Sequence, residues 1–305
     1  MNKKYTCDEI NFLARIPQNF VCDSTREYRE KVNEVAAEIN GNRNSKIIML
    51  AGPSSSGKTT TAKLISQAVG KLGGKAYTVS LDDFYLPRSV QYPLDENGEP
   101  DFECVEALDL ELLHRSLDEL AVTGKASLPV FDFKTGERYD NAKNIELREN
   151  DAVIVEGLHA LNPAVTENLD ESKLFKIYIS VSSRVYDGDG NVLLSKREIR
   201  LIRRTVRDYF FRSMPVERTL EIWKSVMRGE DKYLFPFKNL ADIKLDSFHP
   251  CEPCVFSKKA VDLLRGVSED EFKEKADSLI KKLSLFENID YSFLPEDSLL
   301  REFTG

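Results

Sequence analysis

From residue 46 onward, short and mainly apolar runs alternate with longer stretches in which apolar positions recur every three or four residues. The runs at 46–51, 75–81, 151–155 and 174–181 are strand-length, and their mainly apolar character predicts strands apolar on both faces. The stretches near 58–72 and 105–122 carry helical spacing. Alternation of this kind predicts an α/β fold: a doubly wound parallel sheet with helices on both faces. Within it, 127–147 includes Leu128-Pro129-Val130-Phe131-Asp132-Phe133 and a glycine, and reads as a small inserted β-hairpin subdomain. Helical periodicity resumes at 196–213 and 216–228, a last strand is expected at Ala241–Leu245, and 268–285 reads as a charged amphipathic helix.

The flanks pattern differently. Ser24 and Glu27 stand at capping-box spacing, Val32, Val35, Ala36 and Ile39 follow at helical spacing, and Gly41 offers a stop. Residues 1–45 are therefore expected to form an N-terminal helical appendage, 46–250 the main domain, and 251–305 a helical tail that covers it.

Composition narrows the class. Of 305 residues, 41% are hydrophobic and 31% charged, ordinary proportions for a globular chain. No apolar run approaches the ~20 residues that span a bilayer. The basic start, Met1-Asn2-Lys3-Lys4, is followed by Asp8 and Glu9 where a signal peptide would need an apolar core, so a cytoplasmic protein without membrane association is expected. A net charge of −8 argues against nucleic acid as a partner. Five scattered cysteines suggest no disulfide framework. Cys251 and Cys254 form a lone CxxC near His249, short of the four ligands of a structural zinc, and read as loop cysteines. Asp187-Gly188-Asp189-Gly190-Asn191 resembles the start of a calcium loop with Glu198 at its twelfth position. Its sixth position is Val192, not glycine, and it reads as a turn.

Chemistry is concentrated in three places. Gly52-Pro53-Ser54-Ser55-Ser56-Gly57-Lys58-Thr59 fits G-x-x-x-x-G-K-[ST] in full, between an apolar strand and a helix beginning Thr60-Thr61-Ala62. In such a P-loop, backbone N–H groups and a helix N-terminus face phosphate oxygens, the lysine neutralises the outer phosphates, and the Thr59 hydroxyl reaches Mg2+. Two further strands end in acid, at Asp82-Asp83 and at Glu156. In a doubly wound sheet these carboxyl ends converge on the ligand, so one acid can serve the metal and another accept a proton from an attacking hydroxyl. The chain pattern alone does not choose between Asp82 and Asp83. Finally, Arg197, Arg200, Arg203, Arg204, Arg207 and Arg212 crowd one helix of an acidic protein. Spacings of three and four put several on one side, where unpaired like charges call for a polyanion such as a migrating phosphoryl group.

Taken in order, Gly52–Thr60, Ser80-Leu81-Asp82-Asp83-Phe84-Tyr85, Leu128–Phe133, Val155-Glu156-Gly157 and Arg203-Arg204-Thr205-Val206-Arg207-Asp208 resemble the uridine kinase and phosphoribulokinase family over about residues 46–247. The P-loop NTPase fold with a helical lid at about 196–213 follows from that resemblance, as does phosphoryl transfer from ATP with Mg2+. It implies Asp82 as catalytic base, Glu156 with Thr59 at the metal, and Lys58, Arg203, Arg204 and Arg207 at the transferring group. Gly52, Pro53, Ser54, Ser55, Ser56, Gly57, Lys58, Thr59 and Thr60 would hold the nucleotide. By position, Glu103 corresponds to the family's acid for ribose hydroxyls. Tyr85 and Phe131 offer aromatic surface for a base, and Arg138, in the segment Lys134–Arg138 that stands where pyrimidine kinases of the family carry a histidine, is expected to bind the substrate with them. A small molecule, nucleoside-like by resemblance, is the expected partner, with a homo-oligomer left open. A sugar phosphate or a pantothenate-like acid is the alternative acceptor, and an ATP-bound regulatory module without turnover the alternative class.

Overall fold

The computed structural model describes residues 4–42, 46–94 and 98–304. The expected boundary at 45 lies outside the described residues. At the centre are five parallel strands: β1 (Ile47–Ala51), β2 (Ala76–Ser80), β3 (Ala152–Gly157), β4 (Leu174–Ser180) and β5 (Ile243–Asp246), in spatial order β5-β4-β1-β3-β2. The chain steps from β1 outward to β2, returns to β3 beside β1, then crosses to β4 on the other side. The carboxyl ends of β1 and β3 thus flank the switch point of the sheet, the crevice where ligands bind in open α/β sheets.

Period-two alternation splits the core into two layers. Ile48 and Leu50 of β1, with Ile154, Ile177 and Ile179, face a large cluster. It is built with α1 (Cys7–Ala14), α2 (Pro17–Gly41) and α3 (Lys58–Lys71). Ile47, Met49 and Ala51 face the other layer, closed by Leu113, Leu117 and Leu120 of α4 (Leu110–Thr123). The 105–109 part of the predicted helix is instead a 3-10 turn at Val105–Ala107 and a cap, the Asp109 side chain starting α4 by accepting from Leu112 N–H. The hairpin, with arms Lys125–Asp132 and Glu137–Glu146, forms its own two-stranded sheet beside the main one, with a register shift between Leu128 and Val130 where Pro129 has no N–H to donate.

Two helices follow β4, α5 (Lys196–Arg212) and α6 (Val216–Tyr233), and two more close the chain, α7 (Glu252–Leu264) and α8 (Asp270–Leu283). Ser195 and Glu198 form a reciprocal capping box at the start of α5, so Glu198 caps a helix rather than closing a calcium loop. Cys251 stands at the N-cap of α7, whereas Cys254 lies in its first turn rather than in a loop, and both are fully buried.

The N-terminal helix differs from its prediction. It begins at Pro17, seven residues before Ser24, which is buried within the helix rather than capping it. Proline at the first helical position fits because its missing N–H has no intrahelical partner there. Phe20 and Val21 extend the buried stripe, α2 lies against α3, and the Tyr28 and Thr61 hydroxyls hydrogen-bond at 2.6 Å. Tyr5–Thr6 pairs in parallel with Val185–Tyr186, which pairs in turn with Val192–Leu194, a small sheet that the sequence pattern did not predict.

Candidate active site

The loop Gly52–Gly57 joins β1 to α3. Its Ser56 N–H donates to Pro53 O at 3.2 Å, and Gly57 takes φ +90°, a left-handed conformation that side chains resist. A Cβ there would also meet Leu299 Cδ1 at 2.6 Å. Ser55 holds φ +58° without glycine's freedom, a local strain of the kind that collects at functional loops. Lys58 folds back across the loop and its ammonium donates to Gly52 O at 2.9 Å. Two carboxylates approach the same loop: Glu230 Oε1 accepts from Ser54 N–H at 2.8 Å, and Glu302 Oε2 from Thr60 N–H at 3.3 Å.

The strand-end acids converge on it. Glu156, paired in register with Ser80, accepts hydrogen bonds from the Thr59 and Ser80 hydroxyls, each at 3.3 Å. Burial pushes its carboxyl above the ordinary range, with Lys58 opposing. Gly157 permits this convergence, since a Cβ there would sit 2.7 Å from Leu81 Cβ in the turn that carries Asp82. Asp82 and Asp83 part ways on that 3-10 turn. Asp82 lines the cleft, whereas Asp83 Oδ1 accepts the Phe131 N–H of the hairpin at 3.3 Å. The Asp82 carboxyl is reached by solvent, yet the surrounding walls displace enough water to raise its pKa, with Lys58 opposing and Asp83 adding to the rise.

The cleft, about 300 Å³, runs from Ser54, Gly57, Lys58 and Thr59 past Asp82 and Glu156 to Tyr85, Glu103 and Leu158, with Arg204, Arg207, Arg212 and Glu302 along its other wall. Burial raises the Glu103 carboxyl and Arg204 opposes the rise. Tyr85 donates its hydroxyl to Phe102 O at 2.9 Å, meets Phe131 at a tilt and Phe133 edge-to-face, and lines the cleft where those two rings do not.

Not every expected residue arrives. Arg203 is fully buried, doubly bonded to Glu252 at 2.6 and 2.8 Å, and donates to the Ser55 and Ser247 carbonyls. Its guanidinium is saturated away from the cleft. Arg138 likewise pairs with Asp109 at 2.9 Å and Asp140 at 2.8 Å, tying the hairpin to the cap of α4 instead of lining the cleft. Arg204 donates to Ser54 Oγ at 2.7 Å, and Arg204, Arg207 and Arg212 surround the buried Asp208. Leu158, Val226, Glu230 and Glu302 line the cleft without having been singled out from the sequence, and Ser80 and Arg212 were named without an individual role. Ser80 and Arg212 sit inside motifs already visible. Glu230 and Glu302 carry no local signal, because only the fold brings them to the loop.

The chain resembles known proteins over this same region. The profile of the Phosphoribulokinase / Uridine kinase family matches residues 47–251. A uridine kinase of Geobacillus sp. (strain WCH70) is 29% identical over 198 residues, 65% of this chain and 83% of that protein. One of Staphylococcus aureus (strain JH9) is 28% identical over 65% and 85%. Among solved structures, a possible uridine kinase from Bacillus stearothermophilus superimposes with TM-score 0.43 at 20% identity, over 66% of this chain and 89% of the other. A D-glycerate 3-kinase from Cryptococcus neoformans var. grubii gives TM-score 0.45 at 18% identity, over 66% and 87%.

Proposed function

The chain belongs to the Phosphoribulokinase / Uridine kinase family of P-loop kinases, and from that premise we propose that it moves the γ-phosphoryl of Mg-ATP to a hydroxyl of a neutral, nucleoside-like small molecule. The observation that carries the acceptor class is the charge of the cleft beyond Asp82. Glu103 lines it together with Tyr85, Leu158 and Val226, and Arg204 is the cation that faces Glu103, whereas the charge of Glu230 is taken up by Arg200. A carboxylate accepts hydrogen bonds from hydroxyls and repels phosphates and other carboxylates, so a polyhydroxy acceptor suits the wall at Glu103 better than a sugar phosphate or a pantothenate-like acid.

In this reading the Thr59 hydroxyl and Glu156 carboxylate would hold Mg2+, with Ser80 bonded to the same carboxylate. Their all-oxygen set suits a hard cation. Bound there, the ion offsets charge on the phosphates. Lys58 and the first-turn N–H groups of α3 bind the phosphate chain. Asp82, ionised, takes the proton of the acceptor hydroxyl as its oxygen bonds to the γ-phosphorus and the bond to the ADP oxygen breaks. Arg204 and Arg207 face the equatorial oxygens, where charge spreads in the transition state. The region about 46–250 is the catalytic unit in this account, and a cytoplasmic place with no nucleic-acid or membrane partner goes with it. No helix among the described residues is long and apolar enough to cross a membrane.

The test is ADP release across a panel of nucleosides, sugar phosphates and vitamin-like acids. Release that depends on neutral nucleosides supports the proposal. Preference for a sugar phosphate overturns the acceptor class, and ATP binding without acceptor-dependent release anywhere in the panel favours a regulatory module.

A further inference from the structure

We propose that Glu302, carried on the C-terminal turn outside the family-matched region, sets the affinity of the phosphate loop for its nucleotide by competing with donor phosphate for the Thr60 N–H. Thr60 is the third residue of α3, and its N–H has no carbonyl partner within the helix, whose first closing bond runs from Thr61 N–H to Gly57 O. In a phosphate loop such N–H groups bind the nucleotide's phosphates. Here a carboxylate already accepts from it, at 3.3 Å.

That carboxylate is held in place by its own chain segment. Leu299, Leu300 and Phe303 are fully buried, with Leu299 filling the space beside Gly57. The Phe303 ring lies 5.1 Å from the guanidinium of Arg203, which itself holds Ser55 O of the loop. Asp297 pairs with Arg29 of α2, and Ser298 accepts from Thr25. The backbone at 302 is therefore anchored on α2, the loop and α5 together, and its side chain lines the donor side of the cleft with Arg212. Two anions cannot share one N–H at this distance, so an incoming phosphate must displace the Glu302 carboxylate and then tolerate its charge nearby. The segment that shapes the loop thus also limits how tightly the loop holds its ligand.

This inference rests on Gly52–Thr59 being the donor's phosphate site, and the experiment separates the two. Calorimetric titration with Mg-ATP and with Mg-tripolyphosphate is compared for the wild type, Glu302→Gln, Glu302→Ala and Lys58→Ala. Glu302→Gln keeps the shape and a neutral acceptor, and thermal unfolding verifies that each variant is folded. The expected result is about three- to tenfold tighter binding of both ligands by both Glu302 variants, a gain that shrinks at high salt. Unchanged or weaker binding overturns the inference. Weaker binding of ATP alone, with tripolyphosphate unaffected, would make Glu302 a contact of the ribose or base instead. If the wild type binds neither ligand, the phosphate-site reading itself fails. If the wild type binds, Lys58→Ala does not, and the Glu302 variants gain nothing, only the role of Glu302 fails.

Discussion

Arg200 and Arg203 share a helix with Arg204, Arg207 and Arg212, yet the two groups do different work. The first pair turns inward. Arg200 is bonded to Glu230 at 2.6 and 2.7 Å and stacks 5.3 Å from Trp223, while Arg203 is locked to Glu252. Both also donate to backbone carbonyls of the phosphate loop, Arg200 to Ser54 O and Arg203 to Ser55 O, so they hold its shape from behind. The second group lines the cleft, and its carboxylate partner is the single buried Asp208, shared three ways. Three guanidinium groups around one carboxylate leave net positive charge facing the cleft, which suits a phosphoryl group. One carboxylate per guanidinium leaves none. Residue type is the same in the two groups, and countercharge decides the role.

Substitutions sharpen that contrast. Arg203→Met should cost about 3–5 kcal/mol of stability in denaturant titration, because it strands Glu252 in the core, and Arg203→Met with Glu252→Met should recover part of the loss. A stable single variant with reduced kcat would break the distinction. Arg207→Ala should instead lower kcat by about 10²–10³-fold in steady-state assays, with a much smaller loss of stability. Arg212→Ala, on a side chain about half exposed, should lower kcat by about tenfold and leave stability within about 0.5 kcal/mol. Loss of folding in this variant would place Arg212 with the inward pair.

The smallest effect is a pH dependence. Burial raises the carboxyls of Asp82, Glu103 and Glu156. The native state then holds these protons more tightly than the unfolded chain, so their ionisation lowers stability as pH rises from the ordinary carboxylate value near ~4 through their raised values. Glu103→Gln should therefore stabilise the protein slightly at neutral pH, with the gain fading toward pH ~4 in thermal scans. The same shift puts the acid limb of kcat/KM above pH ~4, since the base must be ionised. A limb at or below that value would mean an unperturbed base.

Much of this was legible in the chain. The inner strands β1, β3 and β4 are buried almost throughout, and their mainly apolar runs mark them to within a residue or two, while the edge strands β2 and β5 are partly exposed and carry polar positions. The phosphate loop is legible because the chemistry fixes glycine, lysine and hydroxyl at set spacing between a strand and a helix. What failed was long-range. Helical spacing put Arg203 among the lid cations, but its partner Glu252 lies forty-nine positions away. Arg138 was placed by motif position, and Asp109 captures it. Glu230 and Glu302 reach the loop from elements that carry no phosphate-binding pattern. Ser24 mimicked a cap because a serine and a glutamate three apart also occur inside helices, where Pro17 had already supplied the start.

The central claim is that Asp82, placed in the cleft while Asp83 is bonded to the hairpin, activates the acceptor hydroxyl. Acceptor-dependent ADP release by Asp82→Asn, with Mg-ATP binding measured on the same sample, tests it most directly. The account predicts near-normal nucleotide binding with transfer reduced by about 10²–10⁴-fold. Near-normal turnover by Asp82→Asn would contradict it.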